Sequence, residues 1–198
     1  MCVGQYSRFL KTSIVLLAIV AAVRPSFGRD KYETIDAQAY GTGNQLGQNI
    51  GTTLDIYEFS TPADKQTLVD AFQKEQNKGL VNTLQKMKAV GHIAITGTLG
   101  YDCSYIRMFT TPTGRKIVFV TNRPITMAEA WTDSSSQSFN LTVGVLELND
   151  QEKNKSTGSL YPAAELVLDK EGDVKLDLLQ NPWRLSSVLD WKGTAGIN

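Results

Sequence analysis

The sequence predicts an α+β fold built on one large curled antiparallel sheet, a sandwich or partly closed barrel of about nine strands, with a two-helix insertion after the second strand. Three observations carry this expectation. From residue 90 onward the chain consists almost entirely of short segments that read as strands, most with apolar and polar residues alternating. Hairpin turns dominate the connections, which implies antiparallel pairing. One interval, residues 62–88, instead spaces its apolar residues at helical intervals. A twisted sheet with so many strands does not stay open and flat, so curling is expected.

The first 28 residues form a unit of their own. Arg8 and Lys11 precede an uncharged, mostly apolar run of 11 residues, Ser13 to Val23, and Ser26 and Gly28 then supply small residues at −3 and −1 of a cleavage site. This is the pattern of a secretory signal peptide, and the run is only about half the roughly 20 residues needed to span a bilayer as a helix. Residues 29–198 are expected to be the exported chain, secreted or periplasmic, with no transmembrane segment after cleavage. They read as a single β-rich globular domain without repeats or linkers. Removing residues 1–28 leaves 17 bases against 20 acids, a formal charge of −3. That balance, and the lack of any basic run longer than Arg115-Lys116, argues against nucleic acid as a partner.

Tyr32 to Tyr40 alternates, with Ile35, Ala37 and Ala39 on one face, and Leu54 to Phe59 reads as a second strand. Between them, Gly41 to Gly51 is polar and Gly-rich. Its spacing fails the phosphate-binding pattern and a strand follows it, so a flexible hairpin connection is expected. Thr61-Pro62-Ala63-Asp64 is a helix start: a capping hydroxyl, a proline at the first helical position and an acid near the positive end of the dipole. Leu68, Val69 and Phe72 form the buried stripe, and Asp70 and Lys74 an exposed i,i+4 pair. Gly79 suits a left-handed helix terminus, so two short helices are expected, the second carrying Leu80, Leu84 and Met87. Lys74, Lys78, Lys86 and Lys88 read as a solvated face.

Strands follow at Gly91–Leu99, Cys103–Thr110 and Arg115–Arg123, the last two joined by a turn at Thr111-Pro112-Thr113-Gly114. Lys116 to Val120 is apolar on both faces, as an interior strand requires. A capping box at Thr126 to Glu129 predicts one helical turn carrying Trp131. In the next strand the apolar set shifts from Leu141, Val143 and Val145 to Leu146 and Leu148, which predicts a β-bulge beside Gly144. A polar loop spans Asn149 to Gly158, and Ala164 to Leu168 and Val174 to Leu178 then form a hairpin across Lys170 to Asp173. Trp183, Leu185, Leu189 and Trp191 fit a last amphipathic strand.

The residues commit to no particular chemistry. His92 is the single histidine, which removes every metal site needing two imidazoles and leaves one candidate base, expected to face solvent. Cys103 is the one thiol left after cleavage, so no intramolecular disulfide can form, and a packing role is expected. Asp150, Glu152 and Asn154 alternate like calcium ligands, but Lys155 and Tyr161 occupy the positions that need Gly and Glu. Glu58, Glu147 and Glu165 together with three Trp residues would suit a glycosidase only if two carboxyls converged. Asn140-Leu-Thr142 and Asn154-Lys-Ser156 match the glycosylation sequon. No residue is assigned a catalytic, cofactor-binding or metal-ligating role, and no cofactor is expected.

The segments Gly114 to Pro124 (GRKIVFVTNRP), Asn181 to Leu185 (NPWRL) and Asp190-Trp191 resemble those of a family of small exported bacterial proteins without an assigned activity. The resemblance spans most of the mature chain and implies export and a bacterial source, but no site residues. The expectation is therefore a non-catalytic binding or envelope-associated module whose partner is a cell-envelope component or a small apolar ligand. A secreted hydrolase, or a carrier of an apolar ligand inside the curled sheet, is the alternative.

Overall fold

The computed structural model describes residues 31–125, 139–168 and 174–191. The expected signal peptide over residues 1–28, the expected helical turn at Thr126 to Glu129 with Trp131, and the expected turn at Lys170 to Asp173 lie outside the described residues. Among the described residues nine strands form one antiparallel sheet: β1 (Glu33–Tyr40), β2 (Asn49–Ile56), β3 (Gly91–Ile95), β4 (Tyr101–Thr111), β5 (Gly114–Thr121), β6 (Leu141–Asn149), β7 (Thr157–Leu168), β8 (Val174–Leu178) and β9 (Trp183–Asp190). Strands β1 to β6 run as an up-and-down meander, β6 pairs with β7, and β9 bridges β7 and β1, so eight strands close a barrel. The ninth, β8, lies outside the closure and pairs with β7 alone.

Alternation places the core inside. Ile35, Ala37 and Ala39 of β1 meet Leu54 and Ile56 of β2, Ile93 and Ile95 of β3, Ile117 and Phe119 of β5, Leu146 and Leu148 of β6, and Trp183 and Leu185 of β9 in one buried cluster. Eight strands enclose an interior just wide enough for side chains to fill. A second cluster lies outside the barrel wall, where helix α1 (Pro62–Leu84) sets Leu68, Phe72, Leu80, Val81 and Leu84 against Leu141, Val120, Tyr105 and Leu166. Strand β5 is therefore covered on both faces, as its sequence requires: Ile117 and Phe119 face the interior and Val120 faces the helix.

Helix α1 starts on the expected capping box. Thr61 N–H donates to Asp64 Oδ2 at 2.7 Å and Asp64 N–H donates to Thr61 Oγ1 at 3.2 Å. The expected break into two helices occurs, but at Glu75–Gln76, where Gln76 takes φ +51°. Gly79 lies inside the second segment and is needed for closeness: a Cβ there would sit 2.3 Å from the Ala71 carbonyl oxygen. Val69 is turned out to solvent, and Asp70 accepts from Gln66 Nε2 at 2.7 Å, the partner expected of Lys74.

The bulge expected beside Gly144 is absent there. The β5–β6 register runs unbroken from Gly114↔Asn149 to Val120↔Val143. Thr142, Gly144, Leu146 and Leu148 all face inward, while Leu141 is buried on the outside by α1. Gly144 is small because the Phe119 ring fills the space, with the ring edge 1.9 Å from where a Cβ would be. The register shifts instead between Leu141 and Val143 against β7, beside Pro162, and Thr142 Oγ1 bridges the irregularity by accepting from Ile125 N–H and donating to the Pro162 carbonyl. Strand β9 also departs from simple alternation. Ser187, at φ +50°, is an extra residue against β1, so Val188 turns inward and Leu189 and Trp191 lie outside.

Candidate functional site

The strand registers give the barrel two ends. The upper end carries the β1–β2 loop, the β3–β4 loop and the link between β8 and β9, and the β7–β8 hairpin projects beyond it. The lower end carries the β4–β5 turn, the β6–β7 loop, Glu33 and Asp190.

At the upper end the Gly-rich connection is an ordered structure. Residues Gly43–Gln45 form a 3-10 turn held by Gln45 N–H to Thr42 O and Leu46 N–H to Gly43 O, both 3.2 Å, and Gly41 N–H closes the loop on Gln48 O at 3.0 Å. The turn docks on the β8–β9 link. Thr42 Oγ1 donates to the Pro182 carbonyl, and Gly43, at φ +60°, lies so close to the Asn181 carboxamide that a Cβ would be 2.2 Å from its nitrogen. Glycine is required there for conformation and for space. Between loop and link is a cleft of about 270 Å³ lined by Asn44, Gln45, Leu178, Leu179, Gln180, Asn181 and Pro182.

Four of those seven side chains are carboxamides and none is charged. Gln45 is buried, with 3% of its surface exposed. Among the described residues the buried side-chain oxygens of Gln45 and Gln180 meet no hydrogen-bond donor, and the buried Trp183 Nε1–H, at the head of β9, meets no acceptor. A buried polar atom left unpaired costs about 1–3 kcal/mol, so three in adjacent segments single out this end of the barrel. Leu46, Leu99 and Leu179 stand exposed on the loops of this end, Leu99 almost wholly so.

The lower end concentrates charge. Arg115 on β5 donates from Nη1 to Glu33 Oε2 at 2.9 Å and from Nη2 to Glu33 Oε1 and Asp190 Oδ2, both 2.5 Å. Glu33 shares the inward face of Ile35, and its side chain is fully buried. Burial pushes the Glu33 carboxyl above its usual range, the two Arg115 hydrogen bonds pull it back, and the second carboxylate, Asp190, pushes it up again. One guanidinium serves two carboxylates and is only 8% exposed. The neighbouring cleft, about 240 Å³ between the β6–β7 loop and Asp190-Trp191, has Asp150 and Lys153 at its wall. Arg115 is thus committed inside the chain, and its role is to close the barrel's lower end.

The residues weighed from sequence are scattered. His92 faces Asp102 across β3 and β4, with Nδ1 3.1 Å from Asp102 Oδ1, and its Nε2 is 3.1 Å from the Leu99 carbonyl. One ring nitrogen is therefore engaged by β4 and the other by the β3–β4 loop, and neither addresses a nucleophile. Cys103 is wholly buried in the barrel cluster, and burial first, then Asp102, pushes its thiol far above the ordinary range. Glu58 pairs with Lys88 at 2.5 Å and Glu147 with Lys116 at 3.8 Å, both toward the lower end, whereas Glu165 is on the projecting hairpin opposite Asp177. No glycosidase pair forms among them. Asn140 Oδ1 accepts from Asn77 Nδ2 at 3.2 Å, and Asn154 is exposed in a 3-10 turn. Among the described residues no group of three or more His, Cys, Asp or Glu side chains is placed to hold a metal. The carboxamide cleft was missed because loop and link are separated by more than 130 residues; the signal available was the polar, uncharged composition of both. No family model, curated protein or solved structure matches the chain.

Proposed function

We propose that this protein is a non-catalytic binding module, exported to the periplasm or beyond, whose upper cleft takes a neutral, hydroxyl-rich ligand of the saccharide kind, such as an exposed glycan of the cell envelope. The observation that supports this reading is the lining of the cleft, four carboxamides and no charge, two of which, Gln45 and Gln180, hold buried side-chain oxygens that meet no donor among the described residues. Hydroxyls both donate and accept, as carboxamides do, and an uncharged wall neither attracts nor excludes an ion. The barrel interior supports this reading over an apolar carrier, because Phe119, Trp183 and the aliphatic side chains occupy it. Charged and polar outward positions such as Asp36, Gln38, Lys116 and Glu147 suit a domain surrounded by water.

Titration calorimetry of the exported chain against neutral oligosaccharides of glucose, mannose and N-acetylglucosamine tests it. At least one is expected to bind, and Gln180→Ala or Asn44→Ala should weaken that binding about tenfold, the loss of one or two hydrogen bonds, while Lys153→Ala leaves it unchanged. Absence of binding by every sugar at millimolar concentration would overturn the ligand class. Release of reducing ends would overturn the non-catalytic half.

A further inference from the structure

Strand β8 is the last in the sheet order, and no strand among the described residues pairs with its outer edge. The barrel itself has no edge, and the free side of β7 near the hairpin is covered where Leu166 N–H donates to Asn77 Oδ1 of α1 at 3.1 Å. An unpaired edge is a template for another strand, and proteins that keep it empty place a proline, a bulge or charged side chains on it, whereas charges of opposite sign can instead attract a matching strand. The sequence of β8, Val-Lys-Leu-Asp-Leu, has no proline, its register with β7 is unbroken, and its two charges have opposite sign.

The geometry points to a homodimer formed by antiparallel pairing of β8 with β8 of a second copy, on a two-fold axis through Leu176. In that register Lys175 lies opposite the partner's Asp177, Asp177 opposite the partner's Lys175, and Val174 opposite the partner's Leu178. Charge selects the register, because sliding by two residues sets Lys175 against the partner's Lys175 or Asp177 against the partner's Asp177. The two-fold is the isologous, self-complementary contact that closes on itself.

A second observation favours the same partner. Within one chain Asp177 lies directly opposite Glu165, a like-charge pair of the kind that destabilises a sheet. Burial, and then Asp177, push the Glu165 carboxyl above its usual range. Pairing through β8 continues that row as Glu165, Asp177 and the partner's Lys175, so the second copy sets a cation directly opposite Asp177, where β7 sets an acid. Leu168 and Val174, exposed at the hairpin tip, lie on the opposite face, which runs on into the partner's sheet.

Sedimentation of the exported chain from micromolar to millimolar concentration is the test, with circular dichroism to establish that each variant is folded. The wild type is expected to dimerise. Lys175→Asp and Asp177→Lys should each weaken the dimer at least about tenfold, since each turns two attractions into repulsions. An equimolar mixture of the two variants, and the double variant K175D/D177K, should dimerise again. A wild type that stays monomeric at millimolar concentration, single variants that dimerise like wild type, or a mixture that fails to recover would each overturn the proposal.

Discussion

Arg115 shows how much one side chain can hold. It ties β5 to Glu33 of β1 and Asp190 of β9, so removing it leaves Glu33 as a buried, unpaired charge. Arg115→Met is expected to cost about 3–5 kcal/mol, and the double variant E33L/R115M to recover most of it, because a buried ion pair can be exchanged for apolar packing far more cheaply than it can be broken. Urea unfolding of the wild type and the two variants would show this. The same site sets a pH dependence. Folding raises the Glu33 pKa above its ordinary carboxylate range, chiefly by burial, so the folded chain holds that proton more tightly than the unfolded one. The group's contribution is fully favourable below the unfolded pKa and declines as pH rises through the folded value. Glu33→Gln should remove that decline, read as urea midpoints between about pH 4 and pH 8.

At the scale of the element, α1 is a helical hairpin whose fold-back depends on two residues. Gly79→Ala would drive a methyl to 2.3 Å from the Ala71 carbonyl and should cost about 1–3 kcal/mol. Gln76→Gly, at φ +51°, should gain up to about 1 kcal/mol by relieving a left-handed conformation. Thr61→Ala removes half of the capping box and should cost about 1 kcal/mol. Thermal unfolding of the three variants separates these outcomes by sign. That two helices occupy this interval was legible from their apolar spacing. Where they turn was not, because a glycine reads alike whether it supplies a left-handed φ or room for a neighbouring carbonyl.

Across the whole molecule the barrel is held by rings and branched side chains that meet from strands distant in sequence. Phe119→Ala should cost about 3–5 kcal/mol, since the closed wall leaves little room to collapse, while Lys116→Ala on the outer face should stay within about 0.5 kcal/mol. Gly144→Ala places a methyl where the Phe119 ring lies, and F119L/G144A should be less damaging than the sum of its parts because the smaller side chain yields that space. Urea midpoints for the wild type, F119L, G144A and F119L/G144A would measure that coupling.

The strands, their antiparallel order, the helix start and the two-faced burial of β5 were all legible in the sequence, because period, capping and turn chemistry act over a few residues. Closure was not. Whether nine strands form a sandwich or a barrel depends on β6 meeting β7 while β9 returns to β1, and no local pattern encodes that meeting. The apparent phase change near Gly144 misled for the same reason: Leu141 is apolar because a helix covers it from outside, and Gly144 is small because a ring from β5 fills its place. Glu33, Arg115 and Asp190, like Gln45 and Gln180, are ordinary polar residues in the linear chain. Only the closed barrel buries them, and burial is what turns an ordinary carboxylate into a tether and an ordinary carboxamide into an unpaired acceptor.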